Sequence, residues 1–288
     1  MSIRKLISVV VPTYNQAQYL GACLDSILFQ DYSPLEIIIV TEDSTDGTQD
    51  VIDEILSAVK SEQVSYASYY NPGTENIERT YHYRYPQIGR EIKVIRNQNR
   101  QGSTFAYNIG FHEAEGEFCT YIASDDISHP QMISTLAEPL LRGKADFVYS
   151  DTFIVNDQGR ILREFKLPDY DFRACFADWY LCGVSKLYRR TLHERFGWYD
   201  TDFLANDHEL YLRFAMGGVR FMHIPRTLYS VRSHENREHN VHSPSNWSRV
   251  LHESRQLTLK AREFMEGHRG HVRENRRARL DPSDTEMK

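Results

Sequence analysis

Two adjacent carboxylates, Asp125 and Asp126, close the stretch FCTYIASDD, directly after the apolar run Phe118–Ile122. At the end of a buried strand such a pair repels itself and loses hydration. A hard cation relieves both effects, because Mg²⁺-type ions take oxygen ligands and bridge one or two carboxylates to a substrate's phosphates. The competing reading is a helix N-terminus, where aspartate caps and meets the helix dipole. His129-Pro130 ahead of a helix over Gln131–Leu141 is compatible with it. Two more polar turns follow apolar runs: Pro12-Thr13-Tyr14-Asn15 after Leu6–Val11, and Glu42-Asp43 after Leu35–Val40. In open α/β sheets ligands sit outside the carboxyl ends of the strands. Three such turns on one edge suit a nucleotide held by base, ribose and diphosphate. No G-x-G-x-x-G follows the first strand and no G-x-x-x-x-G-K-[ST] occurs, which disfavours NAD, FAD and P-loop chemistry. Without a glycine cradle the diphosphate charge falls to a metal ion, with the aspartate pair as candidate ligand.

The elements that must position these groups are legible as runs and stripes. Leu6–Val11, Leu35–Val40, Ile92–Ile95 and Phe118–Ile122 read as buried strands without alternation. Between them, Leu20, Cys23, Leu24, Ile27 and Leu28, then Val51, Ile52, Ile55, Leu56 and Val59, then Phe105, Ala106, Ile109 and Gly110 mark helices. This order predicts an α/β fold whose parallel sheet is covered on both faces. A strand over Asp146–Tyr149 and a separate hairpin, Phe153–Val155 with Ile161–Glu164, follow. Asn206–Met216 reads as a helix carrying Asp207 and Glu209, and Val219–Ile224 and Leu228–Val231 as strands divided at Pro225. The segment at about 61–91, with Tyr66, Tyr69, Tyr70, Tyr81, Tyr83 and Tyr85, exceeds an ordinary connection. A structural insertion, a sugar-cleft flank, a lid or a partner surface would each suit it. The division is therefore a 1–235 domain bearing that insertion, then 236–288, a helix with the stripe Val250, Leu257, Ala261, Phe264 and Met265 and a charged tail of disordered composition.

A hydrophobic content of 41% and a charged content of 26% over 288 residues are those of a soluble globular chain. The net charge of −6 argues against general nucleic-acid binding. Cys23, Cys119, Cys175 and Cys182 show no C-x-x-C pairing and read as reduced thiols. No apolar run approaches the ~20 residues that span a bilayer, and the N-terminus runs directly into a strand, so a cytoplasmic protein is expected. The basic cluster Arg269, Arg273, Arg276, Arg277 and Arg279 could touch the inner, anionic face of a membrane, beside the plainer reading of a solvated tail.

The ordered set SVVVPTYNQAQYLGACLDSI, IIIVTEDSTDGT, NRQGSTFAYNIG and AEGEFCTYIASDD, followed by FGWYDTDFLANDHELYLRFA and YSVRSH, resembles family 2 glycosyltransferases. The likeness runs from about Ile7 to His234. It implies a GT-A-type nucleotide-sugar-binding fold, with a mostly parallel central sheet flanked by helices and here a C-terminal helical extension. It places Pro12, Tyr14, Glu42, Asp43, Ser124 and Asp125 at the nucleotide and Asp125, Asp126 and His234 at a divalent metal, Mn²⁺ or Mg²⁺. It makes Asp207 the general base. Departures are Ala123 where many members carry the first aspartate of the metal motif, Thr41-Glu42-Asp43 in place of Asp-Asp-Gly, and Asn206 in place of glutamate. The Gln-x-x-Arg-Trp signature of processive synthases is absent, which favours one sugar per event.

The implied reaction moves a sugar from a nucleoside-diphosphate donor, most simply a UDP-sugar, to a hydroxyl of a saccharide or lipid-linked acceptor in polysaccharide or glycoconjugate synthesis. One displacement with a base and no protein nucleophile inverts the anomeric carbon. Two other readings remain open: a catalytically degenerate sugar-nucleotide-binding or scaffold protein, suggested by Ala123 and the altered second turn, and a sugar nucleotidylyltransferase, for which the glycine-rich phosphate loop is missing.

Overall fold

In the computed structural model the chain is described over residues 4–234 and 244–280, with side chains of the last helix to Gly267. Strand β1 (Ile7–Thr13) is buried along its whole length, as its β-branched residues on both faces require. It lies between β2 (Leu35–Thr41) and β6 (Phe118–Tyr121), parallel to both, with Ile7 opposite Leu35 on one side and Phe118 on the other. Two strands, β3 (Gln63–Asn71) and β4 (Asn76–Tyr83), form a separate antiparallel hairpin. β5 (Arg90–Arg96) extends the main sheet alongside β2.

Beyond β6 the sheet continues through β10 (Lys186–Arg189), β8 (Phe147–Val155), β11 (Phe221–Arg232) and the short β7 (Ile127–Ser128), with β9 (Ile161–Phe165) folded back on β8. β10 runs antiparallel to both β6 and β8, whereas β11 is parallel to β8. The reversal at β10 leaves β5, β2, β1, β6, β8 and β11 pointing one way, so their carboxyl ends share an edge.

Alternate residues of each strand feed two cores. Val9, Val11, Ile37 and Ile39 face helices α1 (Ala17–Leu28), α2 (Thr48–Ser61) and α4 (Met132–Leu141). Val10, Ile38 and Val40, with Tyr121, Phe147 and Tyr188, face α3 (Ser103–His112), the short α5 (Thr191–Phe196), α6 (Asn206–Met216) and α7 (Pro244–Leu280). α3 presses on β1 so closely that a Cβ at Gly110 would stand 2.3 Å from Val10 Cγ1.

Two expectations change. The strand at 146–149 and the first arm of the hairpin are one continuous β8, because its polar middle is satisfied within the sheet: Ser150 Oγ meets Ser185 Oγ at 2.6 Å, and Asp151 accepts the Leu167 N–H at 2.9 Å. β11 likewise runs through Pro225, absorbing it in register shifts between Ile224 and Tyr229. The tyrosine-rich segment is the β3–β4 hairpin, with Tyr66, Tyr69, Tyr70, Tyr81 and Tyr83 exposed. Tyr85 alone of that series is buried, donating to Asp25 at 2.6 Å. All four cysteines are free and buried. α7 continues through the start of the charged stretch to Leu280; residues 281–288 and 235–243 lie outside the described residues.

Candidate active site

The turns after β1 and β2 are one unit. Asn15, at φ 50°, donates its N–H to Ser44 Oγ at 3.1 Å and accepts the Thr45 N–H at 2.8 Å. Asp46 accepts the Ala17 N–H at 3.0 Å, so the second turn caps the helix that follows the first. Pro12 is buried at the end of β1, and Tyr14 packs 4.2 Å under the exposed Arg100 guanidinium. Glu42 is buried, its carboxylate accepting the N–H groups of Gln101 and Gly102 at 2.7 and 3.0 Å. It therefore holds the entry to α3, while Asp43 is exposed. Beside them a hollow of about 210 Å³ is lined by Thr41, Asp43, Ser44, Gln49, Arg96 and Asn97. A larger hollow of about 430 Å³, at Asp146, Arg189 and Leu192, lies at the opposite, amino edge of the sheet and away from these groups.

At the end of β6, Ser124, Asp125 and Asp126 are all buried. Asp125 Oδ2 lies 3.0 Å from His234 Nε2 at the end of β11. Arg232 fastens the corner: its Nε donates to the Asp125 carbonyl at 3.0 Å and its Nη1 to the Asp157 carbonyl at 2.7 Å. Asp126 turns toward β11, accepting the Tyr229 O–H at 3.0 Å and the Arg232 N–H at 2.9 Å. Tyr19 of α1 lies with its ring 4.5 Å from that of His234 and donates to Asp157 Oδ1 at 2.9 Å. Burial, reinforced by that hydrogen bond, pushes the Tyr19 phenol up to about 12, so it remains a donor at neutral pH. Among the described residues no group of three or more His, Cys, Asp or Glu side chains is arranged as a metal cage. Asp125 and His234 do offer one oxygen and one nitrogen side by side, a donor set that fits a divalent cation completed by phosphate and water oxygens.

Asp207 stands in the first turn of α6. Its carboxylate accepts the O–H of Tyr121, the last residue of β6, at 2.5 Å and that of Tyr199 at 3.0 Å. Both phenols are fully within the core, and burial raises them well above their ordinary range, so both act as donors. Glu209, the other carboxylate of this turn, is committed to Arg213 at 2.7 Å, which leaves Asp207 as the carboxylate aimed at the strand end. The helix start is held from α7: Glu253 accepts the N–H groups of Leu204 and Ala205 at 2.8 Å each. Under Tyr121 lies the buried Lys186.

The structure thus brings Asp125 to His234, gathers Pro12, Tyr14, Glu42 and Asp43 on the same edge, and joins Asp207 to β6 through Tyr121. Sequence reasoning missed Tyr19, Tyr121, Lys186, Tyr199, Arg232 and Glu253 as parts of the site. Lysine inside the apolar stretch CGVSKLY was the one visible signal.

The chain is similar to known proteins in sequence and in fold. The chain is 30% identical over 149 residues to glycosyltransferase GlyG of Streptococcus pneumoniae, covering 52% of this chain and 40% of GlyG. It is 23% identical over 163 residues to the UDP-Glc:alpha-D-GlcNAc-diphosphoundecaprenol beta-1,3-glucosyltransferase WfgD of Escherichia coli, covering 57% of this chain and 51% of that one. The chain thus spans about half the length, or less, of these relatives. Among solved structures, the mannosyltransferase PcManGT from Pyrobaculum calidifontis, in complex with GDP-Man and Mn²⁺, superposes with a TM-score of 0.56 at 20% identity over 80% of this chain and 57% of that one. The fold is the expected GT-A type. No helix among the described residues is long and apolar enough to cross a membrane. Residues 8–68 and 71–197, most of the chain, match the family model described as Glycosyl transferase family 2, and the chain belongs to that family.

Proposed function

We propose that this chain is an inverting, metal-dependent glycosyltransferase that moves a single sugar from a nucleoside-diphosphate sugar to an acceptor hydroxyl. The observation that carries the reading is the Tyr121–Asp207 contact at 2.5 Å. It fixes a carboxylate beside the strand end from which Asp125 emerges four residues later, so base and diphosphate ends of one reaction lie on one edge.

The nucleotide's base and ribose lie against Pro12, Tyr14, Glu42 and Asp43, with Ser124 beside the diphosphate. Asp125, with His234, would hold Mn²⁺ or Mg²⁺, and Asp126 braces that corner through Tyr229 and the Arg232 backbone. When bound, the cation supplies positive charge against the departing diphosphate. Asp207 takes the proton of the acceptor hydroxyl, and Tyr121 and Tyr199 hold it in the orientation to do so. A positioned base of this kind contributes about 10²–10⁴-fold in rate. No protein nucleophile is involved, so the anomeric carbon inverts. A UDP-sugar donor and a lipid-linked saccharide acceptor are the substrates assigned, supported by the donor and acceptor in WfgD's name. PcManGT, solved with GDP-Man, makes the base the first variable to test. The site of action is the cytoplasmic face of a membrane, where a lipid-linked acceptor is reached.

The test incubates the chain with UDP-glucose, UDP-GlcNAc and GDP-mannose, with Mn²⁺ or Mg²⁺, and follows the anomeric centre by NMR. Transfer with inversion that Asp207→Asn abolishes, with donor binding retained, is the expected result. Tight nucleotide binding without turnover of any donor would instead favour a degenerate binder, a reading to which the commitment of Glu42 to the 101–102 loop also lends weight.

A further inference from the structure

Lys186 belongs to β10, the reversed strand, opposite Tyr149 of β8, and its side chain is fully buried. Its Nζ has no hydrogen-bond acceptor among the described residues. It rests instead 3.1 Å from the centroid of the Tyr121 ring. Taking an ammonium out of water without a hydrogen-bonding partner costs several kcal/mol. A methionine would fill the same volume at no such cost, so the charge needs an account.

The surroundings provide one. The carboxylates whose charge acts on Lys186 are Asp207 and Asp126. Burial pulls the ammonium down to about 8 against those two carboxylates, which leaves it mostly charged at neutral pH. Tyr121, whose ring carries the ammonium on its face, donates its O–H to Asp207. A cation on the face of a phenol draws electron density from the ring and makes the O–H a stronger donor. No Lys or Arg pairs directly with Asp207 among the described residues; its carboxylate accepts from the two phenols.

We propose that Lys186 is a positioning residue of the transfer reaction: seated on Tyr121, it is the counter-charge that holds the Asp207 carboxylate against that phenol at the end of β6. The inference rests on Asp207 being the base. Lys186 acts on Asp207 through the Tyr121 ring that lies between the two.

The experiment is a double-mutant cycle on the full chain: wild type, Lys186→Met, Asp207→Asn and the double variant, each measured by thermal unfolding and by turnover. Methionine is close in shape, so these proteins should fold. If the two charges are coupled, Asp207→Asn strands the ammonium, and Lys186→Met raises the melting temperature more in that background than in wild type. Equal effects of Lys186→Met in both backgrounds would overturn the proposal. On turnover of the UDP-glucose, UDP-GlcNAc or GDP-mannose probe, Lys186→Met should lower kcat at least tenfold with the donor KM within twofold, and Lys186→Arg should recover part of it. A kcat within twofold of wild type overturns the positioning role even if the stabilities are coupled. If wild type turns over none of the probes, the base assignment is what fails, and the unfolding cycle alone decides whether Lys186 and Asp207 form a pair.

Discussion

Glu253, on the C-terminal helix α7, accepts the Ala205 N–H at 2.8 Å, two residues ahead of Asp207. The same carboxylate oxygen accepts the Leu204 N–H, and Arg249 donates to the other at 2.7 Å. An acidic group is therefore set against the positive end of the α6 dipole by an element more than forty residues away in sequence. α7 is thus part of what positions Asp207.

Glu253→Ala should lower stability by about 0.5–2 kcal/mol, as loss of a helix cap does. It should also slow transfer with little change in donor affinity, because the start of α6 loses its anchor. Glu253→Gln keeps an acceptor oxygen and should lie between. Thermal unfolding together with kcat and KM checks this; an alanine variant with wild-type values in all three would sever α7 from the site.

Glu42→Ala removes the acceptor of the part-buried Gln101 and Gly102 N–H groups, a loss of about 0.5–1.5 kcal/mol for each bond. The loop carrying Arg100 also loses its seat, so UDP affinity should weaken. Glu42→Gln retains one oxygen and should be milder in both respects. Denaturant unfolding and calorimetric titration with UDP separate the two effects, and unchanged stability in the alanine variant would contradict the capping role.

His208 is buried against Tyr180, ring centroids 4.6 Å apart, and neither ring nitrogen has a hydrogen-bond partner among the described residues. Burial lowers its imidazole from the usual 6.5 to about 4. The unfolded chain takes up this proton near 6.5 and the folded chain only near 4. The stability His208 leaves in place above pH 6.5 is therefore lost as pH falls through that window, by roughly 3 kcal/mol in total. His208→Phe should be at least as stable as wild type at pH 7 and should lose less stability between pH 6.5 and 4. Chemical denaturation across that range reads the difference; parallel curves would refute it.

Asp125→Asn should remove most of the Mn²⁺-dependence of UDP binding, weakening affinity at least tenfold in the presence of metal and little in its absence. His234→Ala should have the same sign and a smaller size. Calorimetry with and without Mn²⁺ measures both, and an Asp125→Asn variant that keeps the full metal effect would move the cation elsewhere.

Where apolar runs were unbroken, local reading was close to the structure. Ile7–Thr13 and Leu35–Thr41 emerge within about two residues of expectation, and Asn206–Met216 matches it. Runs interrupted by polar residues were misjudged. Ser150 and Asp151 read as a break in β8 because their partners, Ser185 and Leu167, lie far along the chain. The hold of Glu42 on the Gln101 and Gly102 N–H groups is likewise invisible locally, because those groups lie some sixty residues away.

By itself, the sequence determined which strands are buried on both faces, which turns cluster at their carboxyl ends, and that Asp125 is a carboxylate to watch, because these follow from local periodicity and residue type; Asp207 was singled out by the resemblance to family 2 glycosyltransferases. Only the tertiary structure decided their company: that Asp126 serves β11 while Asp125 meets His234, that two phenols hold Asp207, and that a lysine with no hydrogen-bond acceptor among the described residues lies on the ring of one of them, Tyr121. Those pairings depend on the order of strands in the sheet and on burial. Neither leaves a mark on the spacing of residues along the chain.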